Sequence, residues 1–177
     1  MKRWIQIAWI ASTFASQVIL AQTSGVSSPS TPGGGAAFVQ RALQEQLVQI
    51  ELSKIAQNNS TNPMVIDFAR ATFRDETEAN RVLRALAVKK GLPVSPAPDA
   101  ENAAMAKILR SKTGDNLDAY YAQDMARIDD RVIQLYRSES ADNDRDVASY
   151  AQRVLPQEEQ HEKLAQSLTN GTARRTT

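Results

Sequence analysis

Histidine occurs once in these 177 residues, at position 161, and Glu158 stands three residues before it. Residues three apart lie on one face of a helix, so this pair can bring a carboxylate and an imidazole to one point. Other carboxylates fall on apolar stripes that a fold would turn inward. Glu76 shares its stripe with Ala69, Phe73 and Leu83. Asp129 lies between Met125 and Val132. Glu51 is four residues from both Leu47 and Ile55, and the Glu158 and His161 pair lies between Val154 and Leu168. A buried carboxylate is costly unless it gains a partner, a proton or a cation. Oxygen ligands combined with an imidazole suit iron, manganese or zinc. The candidate ligands are therefore His161, Glu158, Glu76 and Asp129, and the candidate cofactor is a divalent metal of that group.

The count of ligands narrows the chemistry. A ferritin-like di-iron centre takes one Glu from each of two helices and a Glu-x-x-His from each of the other two. Here there is one Glu-x-x-His, and Asp75-x-x-Glu78 is the nearest substitute. One chain cannot supply two histidines, which leaves a carboxylate-rich mononuclear or variant site. The plainer alternative is that His161 bonds to a neighbour across the core. Charges such as Glu159 with Lys163, Asp124 with Arg127, Arg74 with Glu78 and Asp130 with Arg131 then form solvated surface pairs.

Other chemistries find no support. There is no cysteine, so disulfides, thiol catalysis and thiolate metal sites are excluded. No nucleophile elbow, phosphate-cradling loop, dinucleotide fingerprint or His-Glu-x-x-His occurs. The net charge of +1, without a basic stripe interleaved with aromatics, argues against a nucleic-acid partner. On this pattern an enzyme is less expected than a binding or structural protein.

The elements that would position these residues are helical. From Phe38 the apolar residues recur with a period of 3.6. The first helix is expected over about 36–57, with Phe38, Ala42, Leu47, Ile50 and Ile55 inward. Asn62 and Pro63 open a second, where an Asn cap and a proline in the first turn both fit, and Lys89-Lys90-Gly91 closes it. Its inward side holds Ile66, Ala69, Phe73, Leu83, Leu86 and Ala87. Pro93, Pro96 and Pro98 keep the next link non-helical, and a short helix covers about 100–110. A third long helix spans about 116–138. Its apolar side holds Leu117, Tyr121, Met125, Ile128, Val132, Leu135 and Tyr136. A fourth, capped from Asp142-Asn143-Asp144, spans about 145–168, with Val147, Tyr150, Val154, Leu164 and Leu168 inward. Pro156 inside it removes one backbone donor and is expected to kink it. The expected fold is all-α: an antiparallel four-helix bundle, with the short extra helix in the crossover between the second and third long helices.

Residues outside the bundle read as an address. Met1-Lys2-Arg3, the mostly apolar run Trp4–Leu20 and the small residue Ala21 have the layout of a secretory signal peptide over residues 1–21. The run is polar-spotted and short for a span of about 20 apolar residues, although an uncleaved anchor is the alternative. Its removal would leave 19 basic residues against 20 acidic, a net charge of −1. Residues 22–35, rich in Ser, Thr, Pro and Gly, read as a disordered leader. Residues 36–168 form the bundle, and 169–177 read as a flexible tail. The expected location is the periplasm or the exterior, with no transmembrane segment after cleavage. An envelope protein, or a second copy, is the expected partner.

Several stretches together resemble one family in order and spacing. They are Glu51-Leu52-Ser53-Lys54-Ile55-Ala56, Asn62-Pro63 with Phe68-Ala69, Asp75-Glu76-Thr77-Glu78-Ala79-Asn80 and Leu86-Ala87-Val88-Lys89-Lys90-Gly91. Tyr121, Met125, Leu155-Pro156 and His161 follow. They resemble the bacterial exported proteins with the domain of unknown function 4142, over about 38–168. The resemblance implies export and a ferritin-like helical bundle, and no established reaction. Members usually carry a histidine after the Asp of the second helix and another on the third long helix. Here those places hold Glu76 and Asp129. If the family's histidines form a site, this chain keeps one imidazole and puts carboxylates at the other two positions.

Overall fold

The period-3.6 stripes become five helices in the computed structural model, which describes residues 34–140 and 144–173. They are α1 (Gly34–Asn59), α2 (Pro63–Lys89), α3 (Ala100–Arg110), α4 (Gly114–Glu139) and α5 (Arg145–Ala173). No strand occurs among the described residues. The expected signal peptide, the leader before Gly34, Asp142, Asn143 and residues 174–177 lie outside them.

Local chemistry sets most boundaries. The Asn62 side-chain oxygen accepts from the Met64 backbone N–H at 3.2 Å, and Pro63 follows in the first turn. At the other end Gly91 has φ +67°. The Leu92 N–H donates to the Ala87 carbonyl at 2.9 Å and the Gly91 N–H to Val88 at 3.0 Å, a Schellman closure that needs the left-handed glycine. Asp99 caps α3 by accepting from Asn102 N–H at 2.9 Å. Asp144 caps α5 by accepting from Asp146 and Val147 N–H.

Several boundaries differ by a few residues from the sequence reading, two of them with a visible cause. α1 begins at Gly34 rather than Ala36, because Gly35 is buried against α5: a Cβ there would lie 3.3 Å from Val147 Cγ2. α5 continues through Pro156 and past Leu168 to Ala173. In that extension the hydroxyls of Thr169 and Thr172 donate back to the carbonyls of Ala165 and Leu168, each at 2.9 Å, and Thr172 is buried.

α1 is the helix that the others surround, packing on α2, α3, α4 and α5. It therefore buries a broad face rather than a stripe. Leu47 and Ile50 are only half-buried, whereas Val48, Leu52, Gln46 and Gln49 are covered. On α2 the deep positions are Val65 and Phe68, while Ile66 and Phe73 are half-buried. On α5, Leu164 is exposed rather than inward, beside exposed Met64 of α2. The α4 expectation holds at every position except half-buried Leu135.

A polar seam inside this core fixes helix register. The Gln46 amide donates to Tyr136 OH at 3.0 Å and to Tyr150 OH at 2.6 Å, while Asn80 donates to Gln46 Oε1 at 3.3 Å. Tyr150 OH in turn donates to the Ala79 carbonyl at 3.1 Å. One side chain of α1 thus ties α2, α4 and α5 together. Each buried bond is worth about 1 kcal/mol net, and more if one partner were left unmet. The proline-rich crossover is pinned to α1 from outside: Gln40 donates to the Pro93 carbonyl at 2.6 Å, and Asp99 N–H to Gln44 Oε1 at 2.8 Å.

Surface charges pair differently from the local expectation. Asp124 and Arg127 do pair, but Arg74 binds Asp75, Glu78 binds Arg81, Arg131 reaches Glu45 and Arg137 reaches Glu159. Arg74 and Glu78 each find another partner within α2, while Arg131 and Arg137 pair across helices, where adjacent helices bring partners as close as a helical turn does. No helix among the described residues is long and apolar enough to cross a membrane.

Candidate metal centre

The four candidate ligands come from three helices. Glu76 lies on the α2 face shared by Thr72, Ala79, Asn80 and Leu83, all buried. Asp129 lies on α4 next to Ile128 and one turn from Met125 and Val132. Glu158 and His161 continue the Val154 stripe of α5. Glu76, Asp129 and Glu158 have no solvent exposure and His161 has 3%.

Glu76, Glu158 and His161 converge, each offering a ligand atom, and these atoms lie within 4.8 Å of one another. Two ligands about 2.1 Å from one ion are about 3.4 Å apart in a tetrahedron and at most about 4.2 Å, so a pair at the widest permitted spacing would close by about 0.6–1.4 Å. His161 Nδ1 and Glu76 Oε1 are 3.5 Å apart, close to the edge of about 3.4 Å of a tetrahedron with such bonds. Asp129 is a neighbour of this trio rather than a member. The Gln49 amide donates to its Oδ1 at 2.8 Å. Glu51 is not part of the site; it pairs with Arg110 of α3 at the surface.

Partners are few. Both oxygens of Glu76, both of Glu158, Asp129 Oδ2 and His161 Nδ1 are buried without a hydrogen-bond partner. Among the described residues no lysine or arginine pairs with Glu76, Asp129 or Glu158. Burial therefore acts almost unopposed. It raises the Glu76 carboxyl to about 8, with the negative charge of Asp75 adding to the effect. Burial also pushes Glu158 well up, reinforced by Glu76, while His161 and Gln49 pull the other way. Asp129 rises for the same reason, burial first and Glu158 second, with His161 opposing.

The donor set fits a borderline divalent metal: two carboxylates and one imidazole, enclosed and unpartnered. Glu76 and Glu158 would hold the ion with His161.

Two participants, Gln49 and Phe68, were not among the candidate site residues, and Asp75, considered only as a substitute ligand with Glu78, takes a different place. Asp75 Oδ2 lies 3.4 Å from His161 Nε2. Gln49 serves Asp129, and the Phe68 ring stands edge-on to the imidazole at 6.2 Å between centroids. The signal for Gln49 was present. Gln46, Gln49 and Ser53 are spaced i, i+3, i+7, which places three polar side chains on one face of α1.

The fold and site define a class: an all-helical bundle with a carboxylate and imidazole cluster in its core. The chain belongs to the family described as Domain of unknown function (DUF4142), whose pattern matches residues 20–168. Among solved structures it is similar to the crystal structure of a DUF305 fragment from Deinococcus radiodurans. The TM-score is 0.69 at 16% identity, over 81% of this chain and 99% of that one. That likeness is one of fold. No curated protein matches the chain.

A pH dependence follows for protein stripped with a chelator. A carboxyl whose pKa is higher in the folded than in the unfolded chain holds its proton longer in the fold. Its contribution is complete below the ordinary 4.5 and is lost as pH rises toward about 8. Stability should fall across that window by up to about 1.4 kcal/mol per pH unit for each such group. Urea midpoints measured across the window should decline, and Glu76→Gln should flatten the decline by about one proton. Midpoints independent of pH would contradict the assignment.

Proposed function

We propose that this protein is a metal-binding helical bundle of the cell envelope. It holds one divalent cation per chain, iron, manganese or zinc, between Glu76, Glu158 and His161. The observation that carries the reading is the convergence of these three buried side chains with their donor atoms unpartnered. Glu76 and Glu158 together balance a divalent charge. Asp129, with the Gln49 amide donating to one oxygen, stands beside the site. The role is binding, with no reaction assigned.

The order of contacts supports a ferritin-like antiparallel arrangement. Along α1 and α4, Phe38 meets Tyr136 and Ser53 meets Tyr121, so the two chains of positions run in opposite senses. Along α2 and α5, Ala79 meets Tyr150 and Phe68 meets His161, again opposed. Export rests on the basic, apolar and small-residue pattern of residues 1–21. Intact mass of the exported chain checks it: loss of about those residues is expected, and their retention would indicate an anchored protein instead.

A second reading, a non-catalytic bundle that binds an envelope protein or a second copy of itself, is favoured by Met64 and Leu164. They are 53% and 43% exposed and line one groove with Phe68 and Leu168. One assay separates the two. Purified chain, stripped and reconstituted with Fe²⁺, Mn²⁺ or Zn²⁺, should retain one ion after desalting. His161→Ala should weaken retention by more than about 100-fold, beyond the usual effect of losing an outer partner. Absence of stoichiometric metal would leave the second reading standing and remove the first.

A further inference from the structure

The two nitrogens of His161 face different surroundings. Nε2 points outward along α2, 3.4 Å from Asp75 Oδ2. Nδ1 points into the core, 3.5 Å from Glu76 Oε1, and meets no hydrogen-bond partner. Asp75 is held from its other side, where Arg74 Nε donates to Oδ1 at 2.7 Å, leaving Oδ2 for the imidazole. Unlike the buried trio, Asp75 is partly exposed, its side chain 23% accessible. It lines a cleft between α2 and α5 with Glu78, Tyr150, Arg153 and Gln157.

We infer that Asp75 is the positioning residue of the centre. It holds His161 as the Nε2–H tautomer and so presents the Nδ1 lone pair to the cation. A neutral imidazole has one N–H and one lone pair, and the tautomer is set by the bond the outer nitrogen makes. With the proton on Nε2, the N–H donates to the Asp75 carboxylate. With the proton on Nδ1, the hydrogen bond to Asp75 would lose its donor and the N–H would sit on the nitrogen that meets no hydrogen-bond partner. The neighbouring Asp75 and Glu76 thereby divide the work. Side chains one residue apart on a helix point about 100° from each other, so one reaches the outer edge of the ring and the other its inner edge. This selection of the donor nitrogen rests on the metal-binding reading for its purpose, but the tautomer itself can be read without metal.

His161 is the only histidine, so the two ring nitrogens of the ¹⁵N-labelled full chain can be followed without assignment. At mildly alkaline pH, in metal-free protein, long-range ¹H–¹⁵N spectra should show Nε2 protonated and Nδ1 bare, and Zn²⁺ should shift the Nδ1 signal. Asp75→Ala should mix the tautomers and weaken Zn²⁺ binding by about 10–100-fold. Asp75→Asn, which keeps an acceptor oxygen, should restore much of both. Urea midpoints of the two variants confirm that they are folded. Nε2 as the bare nitrogen, a doubly protonated ring, or nitrogen signals unmoved by Asp75→Ala would overturn the inference. A wild-type chain with the expected tautomer that binds no Zn²⁺ would defeat the metal reading alone.

Discussion

Carboxyl groups placed in the dry centre of a helical bundle set the terms for everything around them. Glu76, Asp129 and Glu158 are fully buried, and among the described residues no basic side chain other than His161 stands close enough to pair with the trio. Desolvating three negative charges would cost more than the bundle could offset, so the protein must neutralise them. Protons are one means, and burial raises all three carboxyls in that direction. A divalent cation, as proposed, would do it without leaving the donor atoms idle. The two solutions compete for the same oxygens, and metal capture must release protons.

The surrounding core shows how selective this arrangement is. α1 presents Gln46, Gln49 and Ser53 on one face, and each finds a target: the Tyr136 and Tyr150 hydroxyls, Asp129 and the Tyr121 hydroxyl. Most buried polar groups along this seam find a partner, as a stable core requires, although Gln49 Oε1 and Asp129 Oδ2 do not. At the level of Glu76 and Glu158 the pattern stops, and four carboxyl oxygens are left unmet. A core that gives each of its tyrosine hydroxyls a partner, yet leaves both oxygens of two adjacent glutamates unmet, points to those glutamates as the place for a ligand.

Much of this could be read from residue order. Helix ends followed from Asn62-Pro63 and Lys89-Lys90-Gly91, since capping is local chemistry. The four candidates followed from single charged residues on apolar stripes; all are buried, and three of them, Glu76, Glu158 and His161, converge while Asp129 stands beside them. What escaped were properties of pairs of helices. Glu51 sits on an apolar stripe but finds Arg110 of α3 at the surface, a partner set by how the crossover folds over α1. Leu47, Ile50 and Leu164 look inward by period alone, yet rotation of each helix against its neighbours leaves them partly or largely open. Asp75 was one residue from a predicted ligand, and only the approach of α5 gives it the outer edge of His161. The axial register that brings Glu76 level with Glu158 is decided by loops and by the Gln46 bonds, and no periodicity in one helix encodes it.

The central claim is that Glu76, Glu158 and His161 form one site. Crystals of the chain grown with Mn²⁺ or Zn²⁺, with diffraction collected at the absorption edge of the metal, test it most directly. A single anomalous peak in the core, about 2.0–2.2 Å from a carboxylate oxygen of each glutamate and from His161 Nδ1, is the expected result. Anomalous peaks confined to surface carboxylates, with none between α2 and α5, would contradict it.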